Sequence, residues 1–350
     1  MRLTRICCAV LLLCVAGTAQ SRRIDLTPYG FRPTSNESYK PHAYSSYVYF
    51  LSDQSLLISF RIPDLVKNTK RKLGRDLGKV RIVHLDGTGR KLGSVDMLVS
   101  RYVPYLWPTR DGFAVVSGDL ILFSPEMREL RRLSPAPKTE AIRIVPTLNA
   151  MAVFEKPQGM KQEVALIDMS TLQPTKTYEV DAGMLPAFTQ DGYAVLGHNG
   201  DQLVVRMMRG EHRTEISLPP LPCRPRLTEA TADAVVAGVC ERYVVAKVDG
   251  GILMNGQLQS DEGDTQVFNA FGANRFGYAS LLGFSGYPVD EQREHASGYR
   301  LSVIDVGQKR KVFSQKITPL PKLGGAFAIS SDGKHVAALE DGAVEIFDVP

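Results

Sequence analysis

Apolar residues along this chain come in short runs that alternate with polar positions and are broken at close intervals by Gly, Asp, Asn and Pro. Alternation with period two puts successive side chains on opposite faces of a strand, and helical spacing is almost absent, so the pattern predicts strands joined by tight turns. A four-part unit recurs. Its first strand ends in Asp-Gly or a relative, and its second is strongly apolar. Its third often ends in Asp, and its fourth is more polar. The clearest copies are Thr109-Arg110-Asp111-Gly112-Phe113-Ala114-Val115-Val116, the stretch around Asp191-Gly192 and the stretch around Asp332-Gly333. Weaker copies turn at Ser52-Asp53, Leu148-Asn149, Ala232-Asp233 and Asn274-Arg275. Asp-Gly between apolar runs is a strong hairpin signal, because Gly accepts positive φ and Asp caps its own turn. The third strands also read alike: Leu120–Phe123, Val164–Asp168, Leu301–Asp305 and Val344–Asp348.

Taking Asp53, Asp111, Asn149, Asp191, Ala232, Asn274 and Asp332 as markers, successive spacings are 58, 38, 42, 41, 42 and 58 residues. A period a little over forty matches one four-stranded blade of a β-propeller. The expected fold is therefore all-β: a seven-bladed β-propeller of four-stranded antiparallel blades, filling residues 20–350 as one domain. The last unit supplies only three strands. The alternating stretch Arg22–Thr27 is expected to complete it and close the ring, removing an open edge.

The Ser331-Asp332-Gly333-Lys334-His335-Val336-Ala337 turn, followed by an alternating strand ending in Asp348, resembles the WD40-like and YVTN-type propeller repeats of secreted bacterial proteins. The resemblance covers nearly the whole chain after its leader, and it implies a fold rather than an activity. The Gly-His and Trp-Asp pairs of true WD40 repeats are missing, and Trp107 is the sole tryptophan. At fold level alone the repeat also resembles lactonases and the heavy chains of quinoprotein amine dehydrogenases.

Composition adds a destination. Arg2 and Arg5 precede an apolar run from Ile6 to Ala16, and Gly17-Thr18-Ala19 supplies small residues for cleavage after Ala19. This reads as a signal peptide over 1–19, since about 20 apolar residues are needed to span a bilayer. The chain is expected to be secreted or periplasmic, with no transmembrane segment after cleavage, and monomeric. Of five cysteines only Cys223 and Cys240 lie beyond the leader. They sit on either side of the Thr231-Ala232 turn, and a disulfide between them is expected in an oxidising compartment. The formal charge of +5 falls to +3 once Arg2 and Arg5 leave, too small a bias to argue for nucleic acid.

The two spacings of 58 place extra residues at equivalent positions, 63–79 in the first repeat and 285–298 in the sixth, each between second and third strands. Both would rise from one face, and long loops on a rigid scaffold commonly carry binding. The first holds Lys67, Lys70, Arg71, Lys72, Arg75 and Lys79, with Arg81 just beyond. Such a run suits a polyanionic glycan, an acidic protein, a membrane surface or simple solvation. The second holds Tyr287, Asp290, Glu291, Arg293, Glu294 and His295, a set open to acid–base chemistry, cation binding or pairing with the basic loop. No histidine pair has metal-ligand spacing, and no nucleophile elbow, P-loop or dinucleotide fingerprint occurs, so neither metal nor cofactor is assigned. Gly87-Thr88-Gly89 reads as a hairpin turn, and Tyr44, Tyr47, Tyr49 and Phe50 as strand residues or a sugar platform. The expected function is a non-enzymatic scaffold binding a protein or glycan through the insertion face. The alternative is a hydrolase or oxidoreductase, lactonase-like for example, with its site at the channel mouth.

Overall fold

The computed structural model describes residues 21–31, 46–62, 77–100, 106–117, 119–134, 136, 138–220, 225–239, 242–257, 266–272, 274–282, 298–317, 327–340 and 342–350. The 1–19 leader, Cys223, Cys240 and nearly all of both insertions lie outside these residues.

Seven four-stranded antiparallel sheets form, each from chain-consecutive strands except the last. Blade one is Tyr47–Ser52, Ser55–Arg61, Leu77–Asp86 and Lys91–Ser100. Blade seven is Phe327–Ile329, His335–Glu340 and Ala343–Asp348, with Ser21–Asp25 as its outer strand. Every marker residue falls at the turn between the first and second strands of its blade. The second and third strands run nearly continuously apolar because both faces of each blade are buried against a neighbouring blade. Seven apolar clusters result, and each joins one pair of adjacent blades. One of them packs Ala337, Leu339, Val344 and Ile346 of blade seven on Leu56, Ile58 and Phe60 of blade one. Blades in an open row would have one interface fewer than blades; seven interfaces for seven blades close the ring.

The N-terminal segment makes the closure. Ser21–Asp25 pairs antiparallel with Ala343–Asp348, from Ser21↔Phe347 to Asp25↔Ala343, and the Leu26 amide donates to the Gly342 carbonyl at 2.9 Å. Ile24, Leu26 and Phe31 then enter the cluster shared by blades seven and one, where Phe31 meets Phe60 edge-on at 5.2 Å. The strand stops at Asp25, short of the expected Thr27. The Asp25 carboxylate accepts the Thr27 amide at 2.9 Å, and Pro28 sits inside a 3₁₀ turn over Thr27–Tyr29.

The first-to-second-strand turns are also stitched to one another. The Arg110 amide of blade two donates to Asn149 Oδ1 of blade three at 2.9 Å, and the Gln190 amide of blade four donates to the Ala232 carbonyl of blade five at 2.6 Å. In the same sense, Ser331 Oγ and the Asp332 amide of blade seven donate to Asp53 Oδ1 of blade one, at 2.7 and 3.2 Å. The residue before one marker, or the marker's own amide, thus reaches the marker of the next blade. Two glycines of these turns serve a further need. A Cβ at Gly112 would lie 2.0 Å from the Phe123 carbonyl oxygen, and one at Gly192 would lie 1.9 Å from that of Met208. There the third strand's backbone comes too close for any side chain.

Candidate interaction face

In a four-stranded antiparallel blade, the turns after the first and third strands share one face of the ring. The connection after the second strand and the crossing to the next blade share the other. Blade one's second strand ends at Arg61 and its third begins at Leu77; blade six's second ends at Leu282 and its third begins at Gly298. Both long connections therefore leave the same face, from the two blades flanking blade seven. Lys67, Lys70, Arg71, Lys72, Arg75, Tyr287, Asp290, Glu291, Arg293, Glu294 and His295 lie outside the described residues.

Two expected members of the basic stretch are strand residues instead. Lys79 pairs with Leu98 in a hairpin of ten-residue strands, which pairs as far as Leu77↔Ser100. Arg81 is neutralised. Its guanidinium donates Nε and Nη2 to the two carboxylate oxygens of Asp96 at 2.8 and 3.1 Å, and Nη1 to the Tyr29 carbonyl at 3.2 Å. That two-pronged pairing holds the Arg81 guanidinium above its ordinary pKa. The ladder fixes it because Arg81 and Asp96 are directly opposed.

Blade seven, between the two long connections, carries a group that no sequence motif marks. Glu340 is the last residue of the second strand and only 3% exposed. The Glu345 carboxyl, diagonally across the hairpin, hydrogen-bonds to it, and Arg23 of the closing strand donates to it from the third side. Tyr299 of blade six, fully buried, donates its hydroxyl to the Leu339 carbonyl at 3.2 Å beside them. Burial comes first, and the Glu345 hydrogen bond second, in lifting the Glu340 carboxyl to about 7, against the pull of Arg23. Burial, with the two carboxylates adding to it, pushes the Tyr299 phenol up as well. A signal for this pair was present in Leu339-Glu340-Asp341-Gly342-Ala343-Val344-Glu345. Strand parity on either side of the turn puts both acids on one sheet face.

The same face carries exposed apolar residues on blade three. Met160, in the second-to-third turn, is 84% exposed, and Leu185, on the crossing to blade four, is 72% exposed. The two loops touch, since the Ala182 amide donates to the Met160 carbonyl at 2.9 Å. Ion pairs Lys138–Glu155 and Lys161–Asp181 flank them.

Toward the channel, Arg143 of blade three reaches past blade four's two-residue inner strand, Ala187–Phe188, to Glu229 of blade five. The guanidinium stands 5.6 Å over the Phe188 ring, and Glu229 also accepts the Phe188 amide at 3.0 Å. The pair ties three inner strands together and uses up its own charges. On the opposite face a cleft of about 140 Å³ opens between Leu148 and Leu166 of blade three and Gln190 of blade four. Its Lys176 donates to the Gln190 carbonyl, and its Asp168 accepts the Ser170 and Thr171 amides of its own turn.

Other flagged residues find structural roles. Tyr47 and Tyr49 stack at 6.1 Å and pack on the cluster between blades one and two, a core position rather than a sugar platform. His335 opens the second strand of blade seven and pairs its Nδ1 with Asp348 at 2.9 Å. Gly87-Thr88-Gly89 is a hairpin turn whose amides at Thr88 and Arg90 are capped by Asp86. The hairpin expected to carry the cysteines is centred on Ala232, from Arg226↔Gly238 to Glu229↔Val235. That centre lies half a residue from the midpoint of Cys223 and Cys240. Among the described residues there is no group of three or more His, Cys, Asp or Glu placed to hold a metal ion, and no helix long and apolar enough to cross a membrane.

No family model and no curated protein matches the chain. Solved structures similar to it include one titled as the mitotic checkpoint complex, at 9% identity and TM-score 0.48, covering 100% of this chain and 97% of that one. A second is the Dos1 propeller, at 11% identity and TM-score 0.46, covering 91% and 96%. A third is Kluyveromyces lactis Hsv2p, at 10% identity and TM-score 0.45, covering 85% and 90%. The seven four-stranded blades, the marker turns and the N-terminal outer strand of the seventh blade make the chain a seven-bladed β-propeller.

Proposed function

We propose that this propeller is an exported, non-catalytic scaffold that binds a protein, or an anionic glycan, through the face bearing residues 63–76 and 283–297. The observation that carries this reading is positional. Both long connections leave one face, on either side of the blade completed by the N-terminal strand. The uncovered Met160 and Leu185 on that face supply apolar contact area. The positive run Lys67, Lys70, Arg71, Lys72 and Arg75 favours an acidic partner surface. The leader read over 1–19 supports export, and a disulfide between Cys223 and Cys240 would suit that destination.

The test is capture of partners from the native exported proteins, using wild type and a variant lacking residues 66–76, which leaves the strand from Leu77 intact. Loss of specific partners from the variant supports the assignment, whereas identical captures contradict it. Reversing the five positive charges to Glu is expected to slow association with an acidic partner by on the order of tenfold at low salt, and by far less at high salt. Stopped-flow or biosensor rates at two ionic strengths check this.

A further inference from the structure

Blade seven is the one blade assembled from the two ends of the chain, and its noncovalent seam is bridged by charge as well as by the ladder. Three side chains from three of its strands converge on the face turned to blade six: Glu340 from the second, Glu345 from the third and Arg23 from the closing strand. Blade six adds Tyr299, whose hydroxyl is already committed to the Leu339 carbonyl. Asp341, next in sequence, lies outside the described residues. A buried carboxyl beside a like charge is costly to ionise, so the near-complete burial of Glu340 and its diagonal neighbour Glu345 on the same sheet face both favour a protonated Glu340. A single Arg cannot balance two carboxylates, and Arg23 is 57% exposed, which weakens its pull.

We propose that ring closure is proton-linked: the N-terminal strand is held on blade seven more tightly in mildly acidic than in mildly alkaline solution, through the Glu340–Glu345 carboxyl pair. When the strand lifts away, Glu340 gains water and loses the need for its proton. Its carboxyl is raised to about 7 in the closed ring, above the ordinary carboxylate value. Stability from a raised carboxyl is complete below the ordinary value and is lost as pH rises through the closed-ring value. Arg23 works in the opposite sense, attracting the ionised acid, but burial and Glu345 outweigh it.

The test is hydrogen exchange of the purified protein, read by mass spectrometry and corrected for intrinsic exchange at each pH. The amides of residues 22–25 are expected to lose about tenfold in protection between pH 6 and pH 8, while those of blade three hold theirs. Glu340→Gln, which mimics the protonated acid, is expected to keep the strand protected equally at both pH values. Glu345→Gln, which removes the like charge, is expected to shrink the difference and serves if the first variant does not fold. Protection that is flat or rises from pH 6 to pH 8, a matching loss in blade three, or an undiminished difference in the variants overturns the proposal.

Discussion

Asn149 carries three tasks at once, and its neighbours explain why a seemingly degenerate repeat still works. It sits at φ +48°, a left-handed conformation that Asn tolerates better than most residues. Its Oδ1 accepts the Arg110 amide of blade two, and its Nδ2 donates to Ser170 Oγ at 3.1 Å. Asn149→Ala is expected to lose about 2 kcal/mol, from the hydrogen bonds plus backbone strain, and Asn149→Gly about half of that, because glycine keeps the conformation. Urea midpoints for the two variants check the order; an Ala variant as stable as the Gly variant contradicts it. Glycine shows the limit of sequence reading at this scale. Asp111-Gly112 and Asp191-Gly192 are legible as hairpin turns, yet the demand on Gly192 comes from Met208, sixteen positions away across the ladder. Gly192→Ala is expected to cost about 3 kcal/mol, since backbone must move. Gly200→Ala, at φ +57° with open space around it, is expected to cost about 1 kcal/mol.

At the scale of elements, the strands and their turns were legible because burial on both faces of every blade imposes a regular pattern that short-range chemistry punctuates. Closure by the N-terminal strand was legible from the alternation of Arg22–Thr27, although the strand ends at Asp25 where a side-chain cap competes with the ladder. Insertion boundaries were less legible. Leu77, Gly78 and Lys79 lengthen the third strand of blade one, and nothing local separates a loop lysine from one in a strand. The Glu340 cluster was only half legible: strand parity pairs Glu340 with Glu345 locally, but Arg23 comes from the other end of the chain. Arg275 escaped notice; its guanidinium donates to Asp305 at 3.0 Å, to the Gly333 carbonyl at 2.6 Å and to the Pro350 carbonyl at 2.7 Å. Arg275→Ala is expected to lower stability by about 3 kcal/mol, leaving a buried Asp305 without its cation and removing two hydrogen bonds from blade six to blade seven. A denaturation midpoint unchanged from wild type contradicts that role. Leu26→Asp is expected to free the closing strand and expose the edge of Ala343–Asp348, giving a lower Tm and concentration-dependent oligomers by light scattering.

For the whole molecule, seven interfaces among seven blades leave a rigid ring whose two faces differ in kind. On one face, marker turns hand hydrogen bonds from blade two to three, from four to five and from seven to one. The other bears both long connections, the uncovered Met160 and Leu185, and the carboxyl pair at the seam. The fold came from a period, which a single sequence carries in full. The ligand did not, because recognition depends on the chemistry that two connections bring to one face. The most direct measurement is a hydrogen-exchange footprint of the propeller with a captured partner bound. Protection is expected in the second-to-third connections, above all within 62–76 and 283–297, while the marker turns around Asp53, Asp111, Asn149, Asp191, Ala232 and Asp332 stay unchanged. A footprint centred on those turns, with both long connections unprotected, would contradict the assignment of the binding face.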